Sequence, residues 1–240
     1  MPDTEALPPP HVWFGRGMRS ALTAVQGIVL WAAFIGFGGL IRDVGFPLGA
    51  AVLSTLMIWA LPAQLLVVGG FASGNTAPVI ALAVGLSSVR LFPMVAALMP
   101  VIRGRSSLGT QLFASHFIAV TAWVESVRLM PAIPVNARMP FFLGMSITFV
   151  LGSVLATLIG FVLAGTLPQA LANGLIFLTP ISFLLQLMRN ARDMIDWLAL
   201  GFGLALAPIF AVISGALDLL WVGLIGGGAA YAVHRIRRAA

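Results

Sequence analysis

The stretch Ala77 to Ile102 reads APVIALAVGLSSVRLFPMVAALMPVI: one charge, Arg90, stands in an otherwise apolar run that Pro93 and Pro100 interrupt. A run of about 20 apolar residues is long enough to cross the hydrocarbon core of a bilayer. An arginine near the middle of such a span costs about 2.5–3.5 kcal/mol on insertion scales, so it faces a partner or a watery cavity. Two readings follow for Arg90: a transport site, or an arginine that snorkels or bridges two helices.

The rest of the chain agrees with a membrane setting. Of 240 residues, 60% are hydrophobic and only 8% charged, against about 25% charged in soluble domains, and the mean hydropathy is +1.06. Eight apolar spans can be read: Ala21–Ile41, Pro47–Phe71, Ala77–Ile102, Leu108–Val127, Phe141–Ala164, Leu171–Met188, Trp197–Ile213 and Ala216–Val233. The fourth is diluted by Gln111, Ser115, His116 and Glu125, and only Ser214 and Gly215 separate the last two, so seven spans remain open. The expected fold is all-α: a polytopic membrane helix bundle of seven to eight segments with proline-broken helices. Residues 1–15 read as a flexible cytoplasmic tail without the basic start of a signal peptide, and residues 16–240 as one transmembrane domain.

All thirteen basic residues are arginines, and the formal charge is +6. They sit in short segments between apolar blocks without the stacking aromatics of a nucleic-acid surface, which excludes nucleic acid as the expected partner. The positive-inside rule applied to eight crossings puts both termini in the cytoplasm and the protein in the inner (cytoplasmic) membrane. It leaves Arg42, Arg103 and Arg105 outside. Arg103 and Arg105 would move inside if the Arg90 stretch were re-entrant or broken. No cysteine is present, so disulfides and thiolate metal sites are excluded.

The two halves, 16–120 and 121–240, share punctuation: a span, then one opening at Pro47 or Pro168 and broken at Pro62 or Pro180, then one broken at Pro93 or Pro208. Matching interrupted spans in two halves point to a transporter's binding site; the alternative is that proline and glycine are simply common in membrane helices. In the fifth span Gly144, Thr148, Gly152, Ala156, Gly160 and Ala164 recur at every fourth residue. That small-residue stripe is a packing face for another helix, in this chain, a second copy or a separate subunit. Gly223, Gly227 and Tyr231, with Gly226 and Ala230 beside them, suggest a second such contact.

Few polar residues lie inside the spans. Gln64 after Pro62, Ser88 before Arg90, and Thr179 before Pro180 are candidates for binding a substrate. Glu125 and His116 are candidates for proton coupling, with pairing of Glu125 to Arg128 as the alternative for the former. Asp218 reads as a helix-start acid. Metalloprotease, hydrolase-elbow, P-loop and dinucleotide signatures are missing, so neither enzyme activity nor a cofactor or metal is expected.

Arg42-Asp43-Val44-Gly45-Phe46, Leu61-Pro62-Ala63-Gln64, Ser88-Val89-Arg90-Leu91, and Ser115-His116-Phe117 leading to Thr121 and Glu125 together resemble the AzlC family, the large subunit of branched-chain amino acid exporters. The family's Ala-Ser-Gln falls on Pro62, Ala63 and Gln64, and its Asn-x-Arg-His on Ser88 to Leu91, so the glutamine and the arginine are kept. Its Thr-Asp-Glu begins at Thr121, leaving Glu125 as the nearest acid. The resemblance implies export of leucine, isoleucine, valine and methionine, with a small AzlD-type membrane subunit as partner.

Overall fold

The structure is a computed structural model and describes residues 8–164, 168, 170–171, 174, 184, 188, 193–213 and 221–239. Among these, every regular element is helical: α1 (Pro10–Thr23), α2 (Val25–Asp43), α3 (Leu48–Met57), α4 (Leu61–Ala72), α5 (Ala77–Ser88), α6 (Leu91–Ile102), α7 (Leu108–His116), α8 (Val120–Leu129), α9 (Val135–Leu163), α10 (Met194–Ile213) and α11 (Gly227–Ala239). The chain divides into two compact units, Met1–Gln64 with Leu91–Thr179, and Leu65–Arg90 with Pro180–Ala240.

In the first unit α9, 29 residues long, is the axis, and α1 and α2 lie along it in the same direction. The contacts are reciprocal. A Cβ on Gly17 would strike the carbonyl of Phe141, and one on Gly144 the carbonyl of Phe14. One on Gly38 would strike the carbonyl of Thr157, and one on Gly160 that of Ile35. Gly152 meets the indole of Trp31, whose Nε1 donates to the Phe149 carbonyl at 3.2 Å. The stripe on α9 is thus covered by this chain's own first two helices. Glycine is required there because backbone meets backbone.

The first helix starts earlier than the sequence suggests. Pro10 opens α1, inside the stretch read as a tail, because a proline at the first helical position gives up only an N–H that has no intrahelical acceptor. Ala24, extended at φ −71° and ψ 127°, then separates α1 from α2. At the far end α2 closes in a Schellman motif: Gly45 at φ +67° donates to Arg42 O and Phe46 to Ile41 O, satisfying carbonyls that the helix leaves open. Arg42 donates to Phe161 O at 2.9 Å and Val162 O at 3.1 Å, closing the C-terminus of α9.

The opposite end of this unit gathers most of its other arginines. Gly104 lies over the start of α9, where a Cβ would be 3.1 Å from Val135 O, and Arg138 donates to Ile133 O and Val101 O. Arg103 and Arg105 therefore share an end with Arg16 and Arg19, away from Arg42, which corrects the placement that eight full crossings imply. Cysteines at Gly15 and Ser106 are expected to label from one side of the membrane and a cysteine at Asp43 from the other; labelling of Ser106→Cys together with Asp43→Cys would refute this arrangement.

Two apolar runs are not continuous helices. Pro47–Phe71 is α3 and α4, 10 and 12 residues long, separated at Ile58–Ala60. Leu108–Val127 falls on α7 and α8, 9 and 10 residues long, separated at Phe117–Ala119. At 1.5 Å per residue each is about half the roughly 30 Å hydrocarbon core. Segment α7 leaves the Arg103 end and α8 returns to it. Three helices, α2, α9 and α10, are long and apolar enough to span alone among the described residues, and α5 with α6 would make a fourth as one bent span.

The prolines sit beside the breaks rather than in them. Pro62 is the second residue of α4 and Pro93 the third of α6, in first turns, where a missing N–H costs no hydrogen bond. The break expected at Pro208 does not occur, for α10 runs through it. In the second unit Gly226 makes an ordinary van der Waals contact, 3.5 Å from Gly203 N for an added Cβ, while Gly223 and Gly227 have open space, and Ala230 is buried. Tyr231 is exposed. Most of the Leu171–Met188 span, with Pro180 inside it, and the start of Ala216–Val233 lie outside the described residues.

Candidate functional site

The break between α3 and α4 holds a buried polar network that apolar packing alone does not account for. Ser54 Oγ and Thr55 Oγ1 both donate to Ala51 O, at 2.8 and 3.1 Å. With their protons committed, the two hydroxyls accept from Gln64 Nε2 at 3.0 and 2.9 Å. Both amide protons are thereby used, and this sets the orientation of the carboxamide. Its Oε1 is left with no hydrogen-bond partner, on a side chain that is 0% exposed. An unpaired buried acceptor costs about 1–3 kcal/mol.

The same break carries an unpaired donor. Trp59, 3% exposed, has its Nε1 buried without a partner, and its backbone sits at φ +38°, a strained conformation for a bulky residue. One of the open carbonyls at the end of α3, Leu56 O, is met at 2.8 Å by His116 Nε2. His116 closes α7, so this bond joins the inner ends of two half-length helices. The arrangement offers an acceptor suited to an ammonium, a donor suited to a carboxylate, and interrupted backbone. Such half-helix ends are what substrate sites in membrane carriers are built from.

The other candidates stand apart from this network. Glu125 is 6% exposed and pairs with Arg128, whose Nε and Nη2 lie 3.0 and 2.5 Å from Oε2; the arginine, 62% exposed, brings solvent screening to the pair. His116 reaches α3 rather than Glu125. In the second unit, Arg90 follows the end of α5, where a cation complements the helix dipole. Ser88 Oγ donates back to Val84 O at 2.8 Å, whereas its neighbour Ser87 is buried with an unpartnered hydroxyl. Thr179, Pro180, Gln186 and Asp218 lie outside the described residues.

Sequence reasoning missed Ser54, Thr55 and Trp59. A signal was present, since Ser54, Thr55 and Gln64 are the only side chains with amide or hydroxyl groups between Pro47 and Phe71. Spaced nine and ten residues apart, they pair only because the helix breaks between them.

Across residues 26–167 the chain matches the model of the AzlC protein family, more than half of its length. The protein belongs to the AzlC family. No curated protein and no solved structure matches it. The matched region runs from α2 past the end of α9 and contains Gln64, Arg90, His116 and Glu125, so the broken α3–α4 segment lies within the part that defines an AzlC protein. Family and apolar helices together make this a membrane protein with a transport-related role.

Proposed function

We propose that this AzlC-family protein is a secondary transporter that exports leucine, isoleucine, valine and similar small apolar amino acids by alternating access. It acts as a carrier rather than an enzyme. The observation that supports this most is the Gln64 carboxamide, held by Ser54 and Thr55 at a helix break with its carbonyl oxygen unpaired. A substrate ammonium would supply the missing donor, and apolar residues at the break, such as Ala63, would accept an aliphatic side chain. Transport would be driven by the proton-motive force, with His116 and Glu125 the titratable groups nearest to hand on α7 and α8. A small AzlD-type membrane subunit would complete the transporter. The arginine-rich end with Arg16, Arg19, Arg103, Arg105 and Arg138 would face the cytoplasm, and Arg42 the outside.

The rival reading is a non-transporting membrane subunit in which Arg90 is a structural counter-ion and the small-residue stripes serve assembly. The stripe of the fifth span is filled by α1 and α2 of the same chain, which favours the transporter. The test is efflux of labelled leucine from cells preloaded with a leucine dipeptide, at matched membrane abundance, with and without a co-expressed AzlD-type subunit. Efflux above vector that collapses with a protonophore is the expected result. No efflux above vector in either arm would overturn leucine export.

A further inference from the structure

A second site lies at the start of α9, where a cavity of about 390 Å³ is lined by Arg103, Arg105, Ser106, Asn136, Met139 and Pro140. We infer that this cavity binds the phosphodiester of an anionic phospholipid headgroup, with the two guanidinium groups on the phosphate oxygens. The inference does not depend on what the protein transports.

Its first support is the contrast among arginines of this unit. Arg42 is held by Phe161 and Val162 carbonyls, Arg128 by Glu125, Arg138 by Ile133 and Val101 carbonyls, and Arg16 lies 4.5 Å over the Trp13 ring. Arg19, Arg103 and Arg105 have no such partner among the described residues; of these, Arg103 and Arg105 line the cavity, and no acidic residue lines it. Their loop is nevertheless ordered by its own backbone: Ser106 Oγ and N both bond Arg103 O, at 2.5 and 2.8 Å, and Gly104 turns at φ +47°. The ordered loop therefore presents two exposed positive groups whose charge is uncompensated, a basic pocket of the kind that takes phosphate headgroups.

The second support is depth. At 1.5 Å per residue the 29 residues of α9 extend about 43 Å, some 13 Å more than the hydrocarbon core. Arg42 marks the C-terminal limit at Val162, so the surplus falls on the first turns, where Asn136, Met139 and Pro140 stand at headgroup level. The first-turn amides of α9 have no side-chain cap, and the positive partial charge of this helix start lies beside the cavity that Val135 and Asn136 line. The third is the mixed lining: Arg103, Arg105, Ser106 and Asn136 beside the apolar Val135, Met139 and Pro140. A free phosphate would leave those apolar residues uncovered, whereas the glycerol and first methylenes of a lipid would cover them.

The experiment measures binding of phosphatidylglycerol, phosphatidylcholine and inorganic phosphate to the purified full chain in mild detergent, by native mass spectrometry and by protection against thermal unfolding. Phosphatidylglycerol is expected to bind and protect, phosphatidylcholine much less, and inorganic phosphate not to compete at millimolar concentration. Arg103→Gln with Arg105→Gln should weaken phosphatidylglycerol binding about tenfold or more, since each arginine near an anionic surface contributes about a fivefold factor. Arg19→Gln should leave it unchanged. Asn136→Asp places a carboxylate in the cavity at a helix start that favours it, so the fold is kept and lipid binding should fall. Unchanged phosphatidylglycerol binding in both altered cavities, equal binding of phosphatidylcholine, or displacement by inorganic phosphate would each overturn the assignment.

Discussion

Gly160→Leu is expected to destroy the first unit, giving protein that no longer elutes as a monodisperse species after extraction from the membrane. A Cβ at Gly160 would meet the carbonyl, C and Cα of Ile35, and the reciprocal position, Gly38, is bounded by Thr157 O, Phe161 N and Gly160 C. Every obstructing atom there is backbone, so no side chain can rotate away, and relief requires α2 and α9 to separate. Separation forfeits the dense dispersion contact that holds helices together where lipid and side chains are equally apolar. The expected cost is about 3 kcal/mol, the upper end for overpacking, or a fall in Tm on the order of 10 °C. Gly49→Leu is the matching control, because Gly49 has open space around it and leucine favours a helix over glycine by about 1 kcal/mol. Equal thermal stability of Gly160→Leu and Gly49→Leu would remove this packing from the account of the fold.

How much of this was legible in the sequence differs from one side of the α9 contact to the other. Gly144, Gly152, Ala156 and Gly160 repeat at helical spacing within one uninterrupted helix, so one face of the contact could be read directly. Its complement could not. Gly17, Gly27 and Gly38 are ten and eleven residues apart, about three turns each, and Ala24 interrupts the helix between the first two. Hydropathy reports how long an apolar run is, not whether its helix is continuous, and the breaks at Ile58–Ala60 and Phe117–Ala119 contain neither glycine nor proline. Pro62 and Pro93 drew attention to the right neighbourhoods, but each sits in the first turn of the next helix, where a missing N–H costs no hydrogen bond, and Pro100 and Pro208 lie inside helices. Once a run such as Leu108–Val127 forms a pair that enters and leaves at one end, counting crossings no longer gives the side of a loop; Arg103 and Arg105, which precede α7, stand at the Arg16 end through the contacts of their loop with the start of α9. Gln64 was legible as an isolated amide in an apolar run; its partners were not, and neither was the bond between His116 and Leu56, 60 positions apart.

Gln64→Met is expected to leave the protein folded and abolish export. Methionine has nearly the volume of glutamine, so the buried position stays filled. The substitution removes two hydrogen bonds to Ser54 and Thr55, each contributing about 1 kcal/mol, and it also removes an unpaired acceptor that costs about 1–3 kcal/mol. The terms nearly cancel. Ser54 and Thr55 keep their own bonds to Ala51 O, so neither hydroxyl loses its acceptor. Transport should respond differently, because a hydrogen bond to a charged ammonium contributes about 1.5–3 kcal/mol, equivalent to a roughly 10- to 150-fold loss of leucine efflux. Gln64→Glu separates the two groups of the amide: it keeps an acceptor for the ammonium but offers no protons to Ser54 and Thr55, so it should fold less well while retaining some affinity for the substrate. Measured side by side at equal abundance, a stable, inactive Gln64→Met places the glutamine in substrate binding. A stable, active one removes it from the site, and an unstable one makes it a brace across the break between α3 and α4.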